Sequence, residues 1–128
     1  MVINGGTNDV AENSHDFNLD LTLGNIKSMT EIARANGIKV VLTSVLPAAQ
    51  FPWRKTIEQS PEKITALNAA IKAYADSIGV PYVDYYSAML APDGRSLNPA
   101  YSNDGIHPTP AGYLVMESII KPVVEGMR

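Results

Sequence analysis

Ile38-Lys39-Val40-Val41-Leu42-Thr43-Ser44-Val45 is β-branched and apolar at nearly every position, the composition of a strand covered on both faces. On its amino side, Leu23, Ile26, Met29, Ile32 and Ala33 recur at helical spacing within a segment from about Phe17 to Asn36. Gly37 then stands where a helix closes on a left-handed residue. Further upstream, Val2-Ile3 ahead of Asn4-Gly5-Gly6 reads as the end of a buried strand stopped by glycines. On the carboxyl side, Pro47 to Ser60 is a loop carrying Phe51, Trp53 and Arg54. Ser60 as N-cap and Pro61 as first helical residue open a helix with Ile64, Leu67, Ile71, Tyr74 and Ile78 on one stripe. Gly79 ends it, and Val80 to Tyr86 makes a third strand. A loop from about Ala91 to Pro108 precedes a last helix, which starts at Thr109-Pro110 and turns Met116, Ile120, Val123 and Met127 inward.

Strand, helix, strand, helix, strand, loop, helix is the order of an α/β protein with a parallel sheet and helices packed on it. Ligands of such sheets sit beyond the carboxyl ends of the strands. No repeat, linker or low-complexity stretch divides the 128 residues, so one domain is expected over 1–128.

Composition narrows the function. Thirteen acidic against ten basic residues give a net charge of −3, and no run of five basic residues occurs. A phosphate-reading nucleic-acid surface is therefore not expected. No apolar run approaches the roughly 20 residues of a membrane helix. The absence of cysteine removes disulfides, thiolate metal sites and cysteine nucleophiles together. Met1-Val2-Ile3 lacks the basic segment and long apolar core of a signal peptide and reads as the middle of a strand.

Two motifs carry chemistry. In Asp104-Gly105-Ile106-His107-Pro108 an aspartate stands three residues before a histidine, with a glycine permitting a tight bend. Such a bend brings a carboxylate to imidazole Nδ1–H, fixes the tautomer and leaves Nε2 as a general base. The plainer reading is a common Asp-Gly turn ahead of a helix. In Gly5-Gly6-Thr7-Asn8-Asp9 an asparagine follows the strand end, where its amide can donate to a developing oxyanion. Its alternative is local capping by Asn8 and Asp9. Neither phosphate-loop pattern is present.

Taken together, the pair resembles the SGNH hydrolases, also called GDSL-type esterases and lipases. Gly6-Thr7-Asn8-Asp9 matches that family's G-x-N-D block, and Asp104-x-x-His107 its D-x-x-H block. The resemblance covers essentially the whole chain. It implies a flavodoxin-like α/β/α sandwich, of which this chain holds the C-terminal three strands and their helices. It also implies His107 as base, Asp104 as its partner and Asn8 as oxyanion donor, acting on a small-molecule ester, an acetylated carbohydrate or an acylated lipid; Gly6 and, as an aromatic platform, Trp53 are separate candidates for contact with that substrate. Neither a cofactor nor a metal is implied; Asp9, Asp104 and His107 lack a strong metal-ligand spacing.

The family's nucleophilic serine belongs to a Gly-Asp-Ser block upstream of G-x-N-D, and none of the nine serines here follows Gly-Asp. The chain is accordingly expected to be an incomplete domain with little or no activity alone. The alternative is an inactive module that binds an acylated carbohydrate or a protein partner. Removal of a neighbouring strand would leave Val2-Ile3 as a bare edge, so self-association through that strand is expected. His15 is either a cleft-lining or a solvated loop residue, and Phe51, Trp53 and Arg54 either a lid or core-packed loop residues.

Overall fold

The structure, a computed structural model, describes residues 1–12, 16–52 and 59–127. Three short strands, β1 (Val2–Ile3), β2 (Val41–Thr43) and β3 (Tyr82–Val83), form a parallel sheet in the order β1-β2-β3. Val2 pairs with Val41, Ile3 with Leu42, Leu42 with Tyr82 and Thr43 with Val83. Among the described residues five helices accompany them: α1 (Thr7–Val10), α2 (Leu19–Ala35), α3 (Ser60–Ile78), α4 (Tyr85–Met89) and α5 (Pro110–Gly126).

The pleat of the strands sorts their side chains into two apolar layers. Ile3 and Leu42 join the cluster that holds Ile26 and Ala33 of α2 and Ile64, Leu67 and Ile71 of α3. Val41 and Val83 face the other way, where Met116, Ile120, Val123 and Met127 pack on them. The sheet is thus sandwiched between α2 and α3 on one side and α5 on the other, as the alternation predicts.

Local chemistry explains where elements stop. Asn18 caps α2 by accepting from Leu21 N–H at 3.0 Å. Gly37 at φ +73° ends it, and Ile38 N–H bonds back to Ala33 C=O at 2.9 Å. Gly79 does the same for α3 at φ +72°, with Val80 N–H on Ala75 C=O.

Four sequence expectations need correction. Met29 and Ile32 do not face the core: they are 45% and 65% exposed, and the buried stripe of α2 is Thr22, Ile26, Thr30 and Ala33. Thr30 tolerates burial because its hydroxyl donates to Ile26 C=O at 2.8 Å. Ser60 is the first residue of α3 and not its cap; Gln59, at φ 57°, takes that place, and the Ser60 hydroxyl is buried with no partner among the described residues. The third strand ends at Val83, because Asp84 accepts from Ser87 N–H and starts the α4 turn through Tyr85 and Tyr86. The second strand likewise shortens: only Val41–Thr43 of Ile38–Val45 is laddered.

Beyond Ser44, whose N–H still donates to Val83 C=O at 3.0 Å, the chain is held by a side chain. Asn68 of α3 accepts from Val45 N–H at 2.7 Å and donates to Val45 C=O at 3.1 Å, with all three groups buried. Replacing Asn68 with leucine leaves that N–H and C=O unpaired out of water. Urea denaturation of Asn68→Leu is expected to show a loss of about 2–3 kcal/mol, whereas an unchanged midpoint would mean Asn68 is not what holds this strand end.

Candidate active site

The turn after β1 can form only with a glycine at position 6. Gly6 has φ +125°, and a Cβ there would lie 2.8 Å from Leu67 Cδ2 and 3.2 Å from Val45 Cγ2. Residues with a side chain rarely adopt this φ, so the backbone itself demands glycine here, and a Cβ would also press on core side chains. The chain then winds through α1, closed by Val10 N–H on Gly6 C=O and Ala11 N–H on Thr7 C=O, both at 2.9 Å. Val10 is fully buried while Asn8, two residues earlier, is exposed. The short helix therefore anchors itself by Val10 and presents Asn8 beyond the carboxyl end of β1.

The second motif folds as the spacing predicts. Asp104 Oδ2 lies 2.7 Å from His107 Nδ1. Its other oxygen, Oδ1, accepts from the backbone N–H groups of Ile106 at 2.8 Å and His107 at 2.7 Å. Gly105 supplies the bend at φ +80°. The carboxylate is thus an organiser of its own turn as well as a partner of the ring. The His107 ring, followed by the His107 and Ile106 amides, holds the Asp104 carboxyl far below the usual carboxylate range, with burial opposing only weakly. Both side chains meet solvent, His107 at 71% and Asp104 at 45% exposure.

Two features seat this turn on the fold. Ile106, between the two polar residues, is buried in the same apolar cluster as Val10, Ala48 and Phe51. Gly112, in the first turns of α5, lets the helix approach: a Cβ there would meet Tyr101 C=O at 2.6 Å, Pro108 Cβ at 3.0 Å and Met89 Cε at 3.1 Å. Asp104 and Gly105 also line a cleft of about 350 Å³ with Ala49, Gln50, Pro52, Ser96 and Leu97. Ala49 to Pro52 belong to the chain leaving β2 at its carboxyl end, so the Asp104 turn lies on the edge where α1 presents Asn8.

A carboxylate on imidazole Nδ1 makes the other ring nitrogen a proton acceptor of fixed orientation, and an amide nearby can stabilise an oxyanion. The remaining candidates divide. Phe51 is fully buried in the core cluster, which fits the packing alternative for that residue and not a lid. Trp53, Arg54 and His15 lie outside the described residues. Among the described residues no group of three His, Asp or Glu side chains could hold a metal ion, and no helix is long and apolar enough to cross a membrane. Sequence reasoning missed the packing role of Gly112 and the burial of Ile106; the Gly two residues into a helix was the visible signal for the first.

Comparison with known proteins gives a consistent result. Residues 1–115 match the GDSL-like lipase/acylhydrolase family. A GDSL-like lipase from Bacteroides thetaiotaomicron VPI-5482 superposes with a TM-score of 0.96 at 55% identity, over 99% of this chain and 62% of its own. A chain assigned as an acylhydrolase from Bacteroides fragilis NCTC 9343 gives 0.96 at 52% identity, over 98% of this chain and 61% of its own. An acetylxylan esterase from Geobacillus stearothermophilus shares the fold at 20% identity, with a TM-score of 0.67 over 94% of this chain and 57% of its own. No curated protein sequence matches. The chain therefore spans about three-fifths of the length of the Bacteroides proteins it matches. Over that span, in sequence and in fold, it belongs to the GDSL-like lipase/acylhydrolase family.

Proposed function

We propose that this chain carries the base, the orienting acid and one oxyanion donor of a serine ester hydrolase acting on acyl or acetyl esters of carbohydrates or lipids. The observation that carries the reading is the 2.7 Å contact of Asp104 Oδ2 with His107 Nδ1 on the carboxyl edge of a parallel sheet. Asp104 keeps the Nδ1–H tautomer, so Nε2 of His107 takes the proton of a serine hydroxyl as its oxygen bonds to the ester carbonyl carbon. The carbonyl π pair moves to oxygen, and the Asn8 amide donates to that oxyanion. As the oxyanion collapses, the ester C–O bond breaks and the leaving alcohol takes the proton from Nε2. Water, deprotonated by the same nitrogen, then releases the acid and restores the serine. No serine of the 128 residues follows Gly-Asp, so the nucleophile is supplied from outside them. Gly6 shapes the turn beneath the substrate, and Trp53 contributes an apolar surface to it.

The 128-residue chain alone is expected to hydrolyse 4-nitrophenyl acetate no faster than buffer and to resist fluorophosphonate labelling. Joined behind the unmatched portion of the Bacteroides thetaiotaomicron lipase, it is expected to hydrolyse the ester, with kcat falling roughly 10⁴-fold in His107→Ala. A folded joined chain without turnover would favour a binding module.

Asp104 makes a second prediction. Its carboxyl is depressed in the folded state, so its contribution to stability is complete above about pH 4, the unfolded value, and is lost as pH falls through the folded one. The Asp104 Cγ resonance should therefore remain that of a carboxylate below about pH 3; titration at about pH 4 would remove the contact.

We also propose that β1, which pairs only with β2 among the described residues, takes a second copy of the chain on its open side. Met1 and Val2 there are 58% and 45% exposed, an apolar edge of the kind that pairs with another strand. Sedimentation equilibrium should show a dimer that Val2→Lys weakens; a wild-type monomer throughout the micromolar range would refute the pairing.

A further inference from the structure

The Asp104–His107 turn encloses a hydroxyl that the proposed mechanism does not use. Ser102 is 5% exposed and sits two residues before Asp104. Its Oγ lies 2.8 Å from His107 C=O, to which it donates, and accepts from Gly105 N–H at 3.0 Å. Asp104 Oδ1 is 3.2 Å away. A hydroxyl has one proton, and the closer acceptor, the His107 carbonyl, takes it. A bridge between Ser102 and Pro108 closes the loop behind it.

The placement is economical. Asp104 satisfies the inner N–H groups of the turn, those of Ile106 and His107. Ser102 satisfies one group on either side, Gly105 N–H and His107 C=O. Together the two side chains leave the backbone of the tetrapeptide little freedom. The carbonyl that Ser102 grips belongs to His107 itself, directly before Pro108, which already restricts that residue to extended conformations. The imidazole can meet the carboxylate at 2.7 Å only while this backbone holds its place.

We infer that Ser102 is a positioning residue: its buried hydroxyl ties Gly105 N–H to His107 C=O and thereby holds the His107 ring on Asp104. The inference rests on the reading of Asp104 and His107 as an orienting pair, and it adds a residue that never touches substrate. Removing the hydroxyl leaves both backbone groups without their partner, and the turn can then relax away from the geometry that selects one tautomer.

The test is the ring nitrogens of His107 in the ¹⁵N-labelled 128-residue chain, assigned against His15→Gln and recorded in alkaline buffer. The wild type should show one protonated and one bare nitrogen, with Nδ1 the protonated one. Ser102→Ala should lose that separation, the two shifts moving toward each other, while far-UV circular dichroism stays native. Ser102→Thr, which keeps the hydroxyl, should restore it. Thr65→Ala, which deletes a comparable hydroxyl bonded to Pro61 C=O at 2.8 Å on α3, should leave the ring unchanged. A folded Ser102→Ala chain with wild-type ring shifts overturns the inference. If Ser102→Ala does not fold, hydrogen exchange in the wild type decides: a protected Gly105 amide supports it and an unprotected one overturns it. Asp104→Asn separates the two readings, because unchanged ring shifts there defeat the orienting pair itself, whatever Ser102 does.

Discussion

Asn68 does for the end of β2 what a neighbouring strand would otherwise do. Its amide gives one acceptor and one donor to Val45, two residues beyond the last laddered position, and holds the chain against α3 as it leaves the sheet. Strands this short expose backbone groups just past their ladders, and buried groups of that kind must find partners. The carboxyl edge is built from such substitutions. Asp84 caps α4 after β3, and Asp104 caps its own turn ahead of α5. Polar side chains spent on the backbone fix the edge on which Asn8, Asp104 and His107 stand.

Close approach is the second requirement. Gly6 lets the β1 turn settle on Leu67 and Val45, and Gly112 lets α5 settle on Tyr101, Pro108 and Met89. Ile106 plugs the turn into the core cluster that also takes Val10. The two motifs, nearly a hundred positions apart, are thus tied to one buried cluster by apolar residues standing beside their polar ones. That arrangement lets His107 be largely exposed to solvent and still anchored.

Much of the fold is legible in the residues, and the failures have physical causes. Ile38 to Val45 is readable as a buried strand from its β-branching, but its laddered length is not, because Asn68 replaces the ladder from a helix 23 positions later. Helical spacing placed Met29 and Ile32 on the core stripe of α2; the stripe instead contains Thr22 and Thr30, whose apolar methyls hydropathy undervalues. Ser60 has the chemistry of a cap, yet the left-handed Gln59 shifts the helix start by one residue. Asp104 and His107 were readable because their partnership spans three residues and one turn. Ser102 was not, since its importance lies in the His107 carbonyl that crosses its neighbourhood, and a glycine early in α5 marks Gly112 without showing that Tyr101 and Met89 press on it.

In the function proposed above, one edge of this sheet presents an oriented imidazole and an amide donor toward the same space. A crystal structure of the joined chain bearing a phosphonate on the supplied serine measures this most directly. The phosphonyl oxygen is expected on the Asn8 side-chain amide, with His107 Nε2 on the serine oxygen and Nδ1 still on Asp104. An Asn8 amide turned away from the phosphonyl oxygen, or a His107 ring detached from Asp104, would contradict it.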